Sequence, residues 1–314
     1  MGKYNKKNKM DFARELDFSE ILTNPILDIG ARFWEAERYA AFKVCYRSMR
    51  KIDDLVDEYK VAGGDLSEKD VHQIRLLMTD WLGEVKRGEI ADPFVEEFLH
   101  YVNKFKIPLW PWDRLVGAMT YDLNHHGFKS FLTFLRYTEG AAIAPASIFM
   151  HLCGVTQKNG EYLEPSYDIR LAARPLAIFS YLVHIIRDFE KDQKDNLQYF
   201  ASDLLERFGL DHENLRRIAA TQNIPAAFRA LMTEYVRIGE YYRVRARKEV
   251  DRTMSFLETR YRVSLEIIYQ LYLQVFERFD PEHGSFSARI LQPVAEEIEN
   301  RIRSVLADFR DFNY

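Results

Sequence analysis

Turn formers are scarce in this chain. Its 14 glycines and 10 prolines, spread over 314 residues, are too few for the many tight turns of a β-rich fold, so helices are expected. Cysteine is nearly absent. Cys45 and Cys153 are the two, neither belongs to a Cys-x-x-Cys pair, and both have apolar neighbours. No zinc or redox motif is visible, and both thiols read as small core residues in a reducing compartment. An excess of charge is missing too. The formal net charge of −4 offers no basic footprint, so nucleic acid is not an expected partner. The first ten residues are basic but no apolar stretch follows them, which is unlike a secretory signal. Residues 1–19 are expected to be a solvated, flexible tail. The longest apolar stretch, Gly140 to Gly154, contains Pro145 and His151 and is too short to span a bilayer. A cytoplasmic location is expected. No Gly-rich phosphate loop, dinucleotide fingerprint or nucleophile elbow is found.

What is present is helix after helix. With 47% hydrophobic and 29% charged residues the chain has material for a sizeable core. One helix is expected from about Phe33 to Tyr59, ending before the breaker Val61-Ala62-Gly63-Gly64-Asp65. Ser67 and Asp70 then begin a capping-box pattern, and Val71, Ile74, Leu77, Met78, Trp81 and Leu82 keep a 3.6-residue apolar rhythm. Further helices are expected over Asp92 to Phe105, Trp112 to His125, Ser130 to Leu152 and Ser166 to Asp192. Others lie near Leu215, from Pro225 to Met254 and from Val263 to Phe279, with a last one after Asp280-Pro281-Glu282-His283-Gly284. Asn159-Gly160 marks a loop, and no run of alternating strand residues stands out. The expected fold class is all-α: one helical bundle over residues 20–314.

Two of these helices carry paired acids. In Lys51-Ile52-Asp53-Asp54-Leu55-Val56-Asp57, Asp53 and Asp57 are four apart and share a face. The same face upstream carries Arg50, Tyr46 and Phe42. In Arg187-Asp188-Phe189-Glu190-Lys191-Asp192 the spacing recurs, below His184, Tyr181 and Ala177. Like charges one helical turn apart repel, and burying them unpaired costs more. A cation between them removes the conflict. Hard carboxylate oxygens suit magnesium, which takes one or two protein carboxylates and completes its shell with water and phosphate oxygens. One Asp-x-x-x-Asp is ordinarily a solvated face. Two, each beside an arginine and each ending an apolar stripe, point to a site where two or three Mg2+ ions hold a diphosphate, with Arg50 and Arg187 placed to touch its oxygens.

A diphosphate leaving an allylic carbon creates a carbocation, which must be kept from water among apolar and aromatic walls. The small-residue segment from Tyr137 through Ala142 and Ala146 to Ser147 suits such a wall, and equally suits close helix packing. Pro145 should kink it. Phe42, Ala142, Ala146 and Tyr181 are the candidate cavity lining.

These segments resemble the squalene/phytoene synthase family. Tyr46 through Arg50-Lys51-Ile52-Asp53-Asp54 to Asp57 is similar to that family's first acidic motif, and Arg187-Asp188 to Asp192 to its second. Gly117-Ala118-Met119-Thr120-Tyr121-Asp122 is similar to its Gly-Met-x-x-Asp stretch, and the Tyr137 segment to its Tyr-x-x-x-x-Ala-Gly helix. The resemblance extends over about residues 20 to 280. It implies an isoprenoid-synthase bundle with a central cavity, magnesium, and farnesyl or geranylgeranyl diphosphate joined head to head to a squalene-, dehydrosqualene- or phytoene-type product. It implies metal ligation by Asp53, Asp57, Asp188 and Asp192, diphosphate contacts by Arg50 and Arg187, and supporting roles for Tyr46, Asp122 and Tyr137. His184 stands where the family has an asparagine, at the diphosphate end. Asn24-Pro25-Ile26-Leu27 replaces a hydroxyl-bearing stretch that binds diphosphate in the family, and Ala142-Ile143 replaces Ala-Gly. The use of NADPH is left open. Release of an apolar product fits peripheral contact with a membrane.

Two other readings remain at this point. The altered stretch at Asn24 fits a terpene cyclase or prenyl transfer to a different acceptor. A non-catalytic binding or assembly protein is the third, although all four aspartates are retained. His125-His126 reads as a surface pair, and Arg243, Arg245, Arg247 and Lys248 as a solvated helix face able to steer an anion.

Overall fold

A computed structural model describes residues 17–61 and 67–311. Most of the expected basic tail, and most of the breaker after Val61, lie outside the described residues. The last residues of that expected tail, from Phe18, open a short helix, α1 (Phe18–Ile21), followed by α2 (Ile26–Ala31). The first long helix, α3 (Ala36–Val61), is followed by α4 (Glu68–Arg87), α5 (Pro93–Lys104) and α6 (Trp110–Asn124). Ser67 caps α4 by accepting the Asp70 N–H at 3.2 Å, and Asp92 caps α5 through Val95 N–H at 2.9 Å. The expected helix over 130–152 is instead three pieces: α7 (Phe131–Thr138), a π-helical turn (Glu139–Ile143) and α8 (Ala144–Gly154). Pro145 has no N–H to give, so a continuous α-helix would strand a carbonyl one turn back. The wider turn absorbs the mismatch. The buried Ser147 hydroxyl bonds the Ile143 carbonyl at 2.7 Å.

Asn159-Gly160 is more than a loop. It turns a small antiparallel hairpin, β1 (Thr156–Lys158) and β2 (Glu161–Leu163), the only sheet among the described residues. Asn159 at φ 53° and Gly160 at φ 86° supply the two left-handed residues that a two-residue hairpin turn demands.

The chain continues through α9 (Ile169–Arg187), α10 (Phe189–Lys194), α11 (Ser202–Arg207), α12 (His212–Thr221) and α13 (Ala226–Met254). It ends with α14 (Thr259–Phe276), α15 (Ala288–Leu291) and α16 (Ala295–Asp311). The expected helix over 166–192 is therefore broken at Asp188, where φ and ψ are −92° and 7°. Its α-type bonding persists across the break: Asp188 N–H reaches the His184 carbonyl and Asp192 N–H the Asp188 carbonyl, both at 2.8 Å. Helix α9 is also long and apolar enough to cross a membrane by length and composition, which corrects the expectation set by Gly140–Gly154. Half of that stretch is buried in the bundle, as a core helix would be.

Helices α3, α6, α8, α9, α13 and α14 surround the main core, with α9 lying along α13. The π-helical turn packs on α6 with no space to spare. A Cβ on Gly140 would meet the Arg114 carbonyl oxygen at 2.1 Å and the Ala118 Cβ at 2.6 Å. Gly140→Ala is expected to destabilise the fold by about 2–3 kcal/mol, as overpacking against backbone does. An unchanged melting temperature would refute that contact. A second, smaller core joins α1 and α2 to α14 and α16 through Ile21, Ile29, Phe33, Ile267 and Ile302. It fixes α2 against α14. Trp34 Nε1 donates to Ser264 Oγ at 2.9 Å, and that hydroxyl donates to the Gly30 carbonyl at 2.6 Å. Both cysteines are buried and unbridged.

Candidate active site

One stripe of α3 runs through Tyr39, Lys43, Tyr46, Arg50, Asp53 and Asp57, at alternating steps of four and three residues. At 100° per residue these six lie within roughly 80° of arc. Arg50 Nη1 donates to Asp53 Oδ2 at 2.6 Å, and Nη2 bonds Asp54. Burial works against the Arg50 charge, but Asp53 and Asp54 outweigh it and raise its pKa. This guanidinium is engaged along its own helix. Asp53 is half-buried, and its pKa is pushed up to about 7 by burial and then by Asp57, against the opposing pull of Arg50. One nearby cation does not offset the crowding.

The second motif straddles the bend at Asp188. Arg187 grips Asp188 with two bonds, Nε at 2.8 Å and Nη2 at 2.6 Å. Asp192 is buried, and burial followed by the Asp188 charge pushes it up to about 7. Two positions in different motifs thus share one predicament: a carboxylate held where its charge is poorly compensated. His184 sits one turn above, its ring 5.3 Å from that of Tyr272 on α14. Burial, reinforced by Arg187, lowers its pKa to about 3. It is a neutral imidazole at physiological pH, so it offers a diphosphate no charge.

The two motifs meet around tyrosines. The Tyr181 hydroxyl, on α9, is pushed far up by burial and next by Asp122 and Asp53, with Asp192 also contributing. The Tyr199 hydroxyl feels burial, then Tyr181, Asp122, Asp57 and Asp192. Carboxylates of both motifs therefore lie within electrostatic reach of the same two hydroxyls. Asp122, buried on α6, accepts the Tyr137 hydroxyl at 2.5 Å. A carboxyl group bound to a phenol in this way holds that phenol in position. Tyr181, Tyr199, His184, Ala141, Ala142 and Ala146 all keep some accessible surface, although burial dominates the ionisation of the first three. Phe42 does not share it. At 2% exposure it is core, packed edge-on to Phe149 and stacked 5.5 Å behind Tyr46. Tyr46 is partly buried, with its pKa raised first by burial.

Among the described residues no three His, Cys, Asp or Glu side chains gather closely enough to chelate an ion by themselves. The carboxylates come in separated pairs, which fits magnesium, an ion that draws most of its shell from water and phosphate. The raised Asp53 and Asp192 support the fit, since a divalent ion supplies the charge their surroundings lack. A surface cleft of about 630 Å³, lined by residues such as Val102, Trp110, His151 and Tyr167, includes none of the motif residues.

Sequence reasoning missed Tyr199 and Tyr272. Tyr199 follows α10 in a loop pinned by the Leu197 N–H to the Asp192 carbonyl at 2.8 Å, and no periodicity marks it. Tyr272 belongs to a helix with an apolar rhythm of its own, where a tyrosine looks like ordinary core.

Residues 29–294 match the family model described as squalene/phytoene synthase. No curated protein sequence matches the chain. It is similar in structure to the squalene synthase HpnC from Alicyclobacillus acidocaldarius, with a TM-score of 0.62 and 15% identity over 94% of each chain. It is also similar to a dehydrosqualene synthase in complex with ligand, with a TM-score of 0.65 and 16% identity over 94% of this chain and 98% of that one. At such identity these two likenesses establish the fold alone: the helical isoprenoid synthase bundle.

Proposed function

The chain belongs to the squalene/phytoene synthase family, and from that premise we propose that it is a magnesium-dependent prenyltransferase joining two farnesyl or two geranylgeranyl diphosphates head to head. The observation that carries this reading is that carboxylates of both acidic motifs act on the same two buried hydroxyls, those of Tyr181 and Tyr199. Asp53, Asp57, Asp188 and Asp192 would hold the ions. When bound, magnesium neutralises the departing diphosphate.

The chain's own residues have three further tasks. Asp122 orients Tyr137 through the 2.5 Å bond, so that an aromatic face and a fixed hydroxyl flank the reacting carbons. The rings of Tyr137, Tyr181 and Tyr199 form a connected group with centroids 6.0 to 6.3 Å apart, suited to an allylic cation kept from water. Ala142 and Ala146 leave room beside the π-helical turn for a prenyl chain. Catalysis of this kind is positional and electrostatic.

Incubation of the purified protein with each diphosphate, followed by product analysis, tests the proposal. A C30 or C40 hydrocarbon formed only with magnesium is expected. No magnesium-dependent diphosphate release from either substrate would sink it. Ala142→Phe fills the space by roughly a benzene ring and is expected to cut turnover of geranylgeranyl diphosphate at least about tenfold more than that of farnesyl diphosphate. Equal losses on both would remove Ala142 from the wall. An apolar product favours a cytoplasmic enzyme in peripheral contact with a membrane, and sedimentation with phospholipid vesicles checks that placement.

A further inference from the structure

We propose that Glu139, gripped by Arg170 and Arg174, is a positioning residue for prenyl-chain length: it holds the π-helical turn in a register that lines Ala142 and Ala146 up with Tyr137, and the chain of a prenyl diphosphate runs along that line. This deepens the head-to-head reading and rests on it for the identity of the ligand.

Tyr137 and Ala142 are five residues apart. In a continuous α-helix, at about 100° per residue, they would diverge by about 140°. A π turn bonds residue i to residue i+5, so the fifth residue takes the place above the first that the fourth takes in an α-helix. The turn over Glu139–Ile143 therefore returns Ala142 to the side of Tyr137. Ala146, four residues further on in α8, follows it. With α-type bonding throughout, Ala141 and Pro145 would take those two places. The register thus decides whether an alanine or the larger proline ring lies in line with Tyr137.

Two neighbouring helices pin the turn. On α6, the Arg114 carbonyl and the Ala118 Cβ lie so close to Gly140 that no side chain fits there. Asp122, one turn beyond Ala118, takes the Tyr137 hydroxyl at 2.5 Å. From α9, Arg170 donates to Glu139 Oε2 through Nε at 3.0 Å and Nη2 at 2.6 Å, and Arg174 pairs with Oε1. Both oxygens of the carboxylate are held, so the first residue of the turn is fixed in direction as well as in place.

Stability alone does not account for this arrangement. The Glu139 side chain is 16% exposed, but those of Arg170 and Arg174 are 42% and 43% exposed. Ion pairs that open to water add little to stability. Arg170 and Arg174 also stand one helical turn apart with like charge, which costs a little more. What two arginines on one carboxylate do supply is a defined geometry.

Calorimetric titration of the full chain with farnesyl and geranylgeranyl thiodiphosphates, two non-ionising analogues, in the presence of magnesium tests this. Glu139→Ala is expected to weaken the geranylgeranyl analogue at least about tenfold more than the farnesyl analogue, as Pro145 turns toward the longer chain. Its melting temperature should change little. Arg170→Ala/Arg174→Ala should shift the ratio in the same direction, so the outcome does not hang on the folding of one variant. Arg170→Lys/Arg174→Lys keeps both charges and should keep most of the parent's preference. Equal weakening of both analogues, or an unchanged ratio in variants that only melt earlier, would reduce the ion pairs to a structural staple and overturn the proposal. The expected shift in a protein that makes no C30 or C40 hydrocarbon would uphold the register and sink the head-to-head reading. Hydrocarbon formation with an unshifted ratio would do the reverse, and a parent protein that binds neither analogue would sink both.

Discussion

Asp53→Asn protein is expected to release diphosphate at least about a thousandfold more slowly than the parent chain, and to melt no earlier in the absence of magnesium. The two effects have one cause. Asp53 carries its charge at a cost, since burial and Asp57 push it up to about 7. Asparagine has nearly the same shape without the charge, so the repulsion disappears and the magnesium-free fold relaxes. Arg50 keeps a partner, because it also bonds Asp54. What is lost is the ability to hold an ion against a leaving diphosphate. A thousandfold is about 4 kcal/mol of transition-state stabilisation, the scale seen when one well-placed electrostatic group is removed. Asp192→Asn should behave alike, because its environment is alike. Product formation and thermal melting on the same preparations check both halves. Full activity in either variant would remove that aspartate from the site, while lost activity with early melting would mark a structural role.

Magnesium itself is expected to stabilise the protein most at neutral to alkaline pH. A carboxyl group near 3.8 in the unfolded chain and near 7 in the fold binds its proton more tightly when folded. The magnesium-free protein should therefore lose stability as pH rises from about 4 to about 7. Each of Asp53 and Asp192 contributes on the order of a few kcal/mol. Above that range both are charged and the loss is complete. An ion that binds only the folded chain restores about 2.7 kcal/mol at a hundred times its dissociation constant. Thermal melts at pH 5 and pH 8, with magnesium and with a chelator, should thus show a shift that grows with pH. A shift equal at both, or none, would mean that these carboxylates do not bind the ion.

Much of this was legible from spacing. Asp53 and Asp57 declared a shared helix face, and so did the stripe above them. The segments called helical are helical, to within a few residues at most ends. The breaks were harder. Pro145 announced a disturbance in the helix after Tyr137, but a π-helical turn and a kink answer the same missing N–H. The bend at Asp188 had no signal, since its hydrogen bonds continue through it. Asn159-Gly160 was read as a loop because three-residue strands are too short to show alternation. Arg50 and Arg187 were correctly placed beside the acids, yet their bonds to those acids depend on rotamers, which spacing does not specify. Phe42 lay on the right stripe and proved to be core, because Phe149 approaches it from a helix a hundred residues away.

The sequence by itself determined the helices, the family and the identity of the four acidic side chains, since periodicity and short motifs are local and a helix of known pitch converts spacing into direction. Which side chains confront one another across the bundle was decided by the tertiary structure alone. Tyr272 meets His184 and Tyr199 meets Tyr181 from separate elements of the chain, and burial makes His184 neutral and Asp53 reluctant to ionise. Desolvation depends on everything packed around a group, and no stretch of sequence contains its own surroundings.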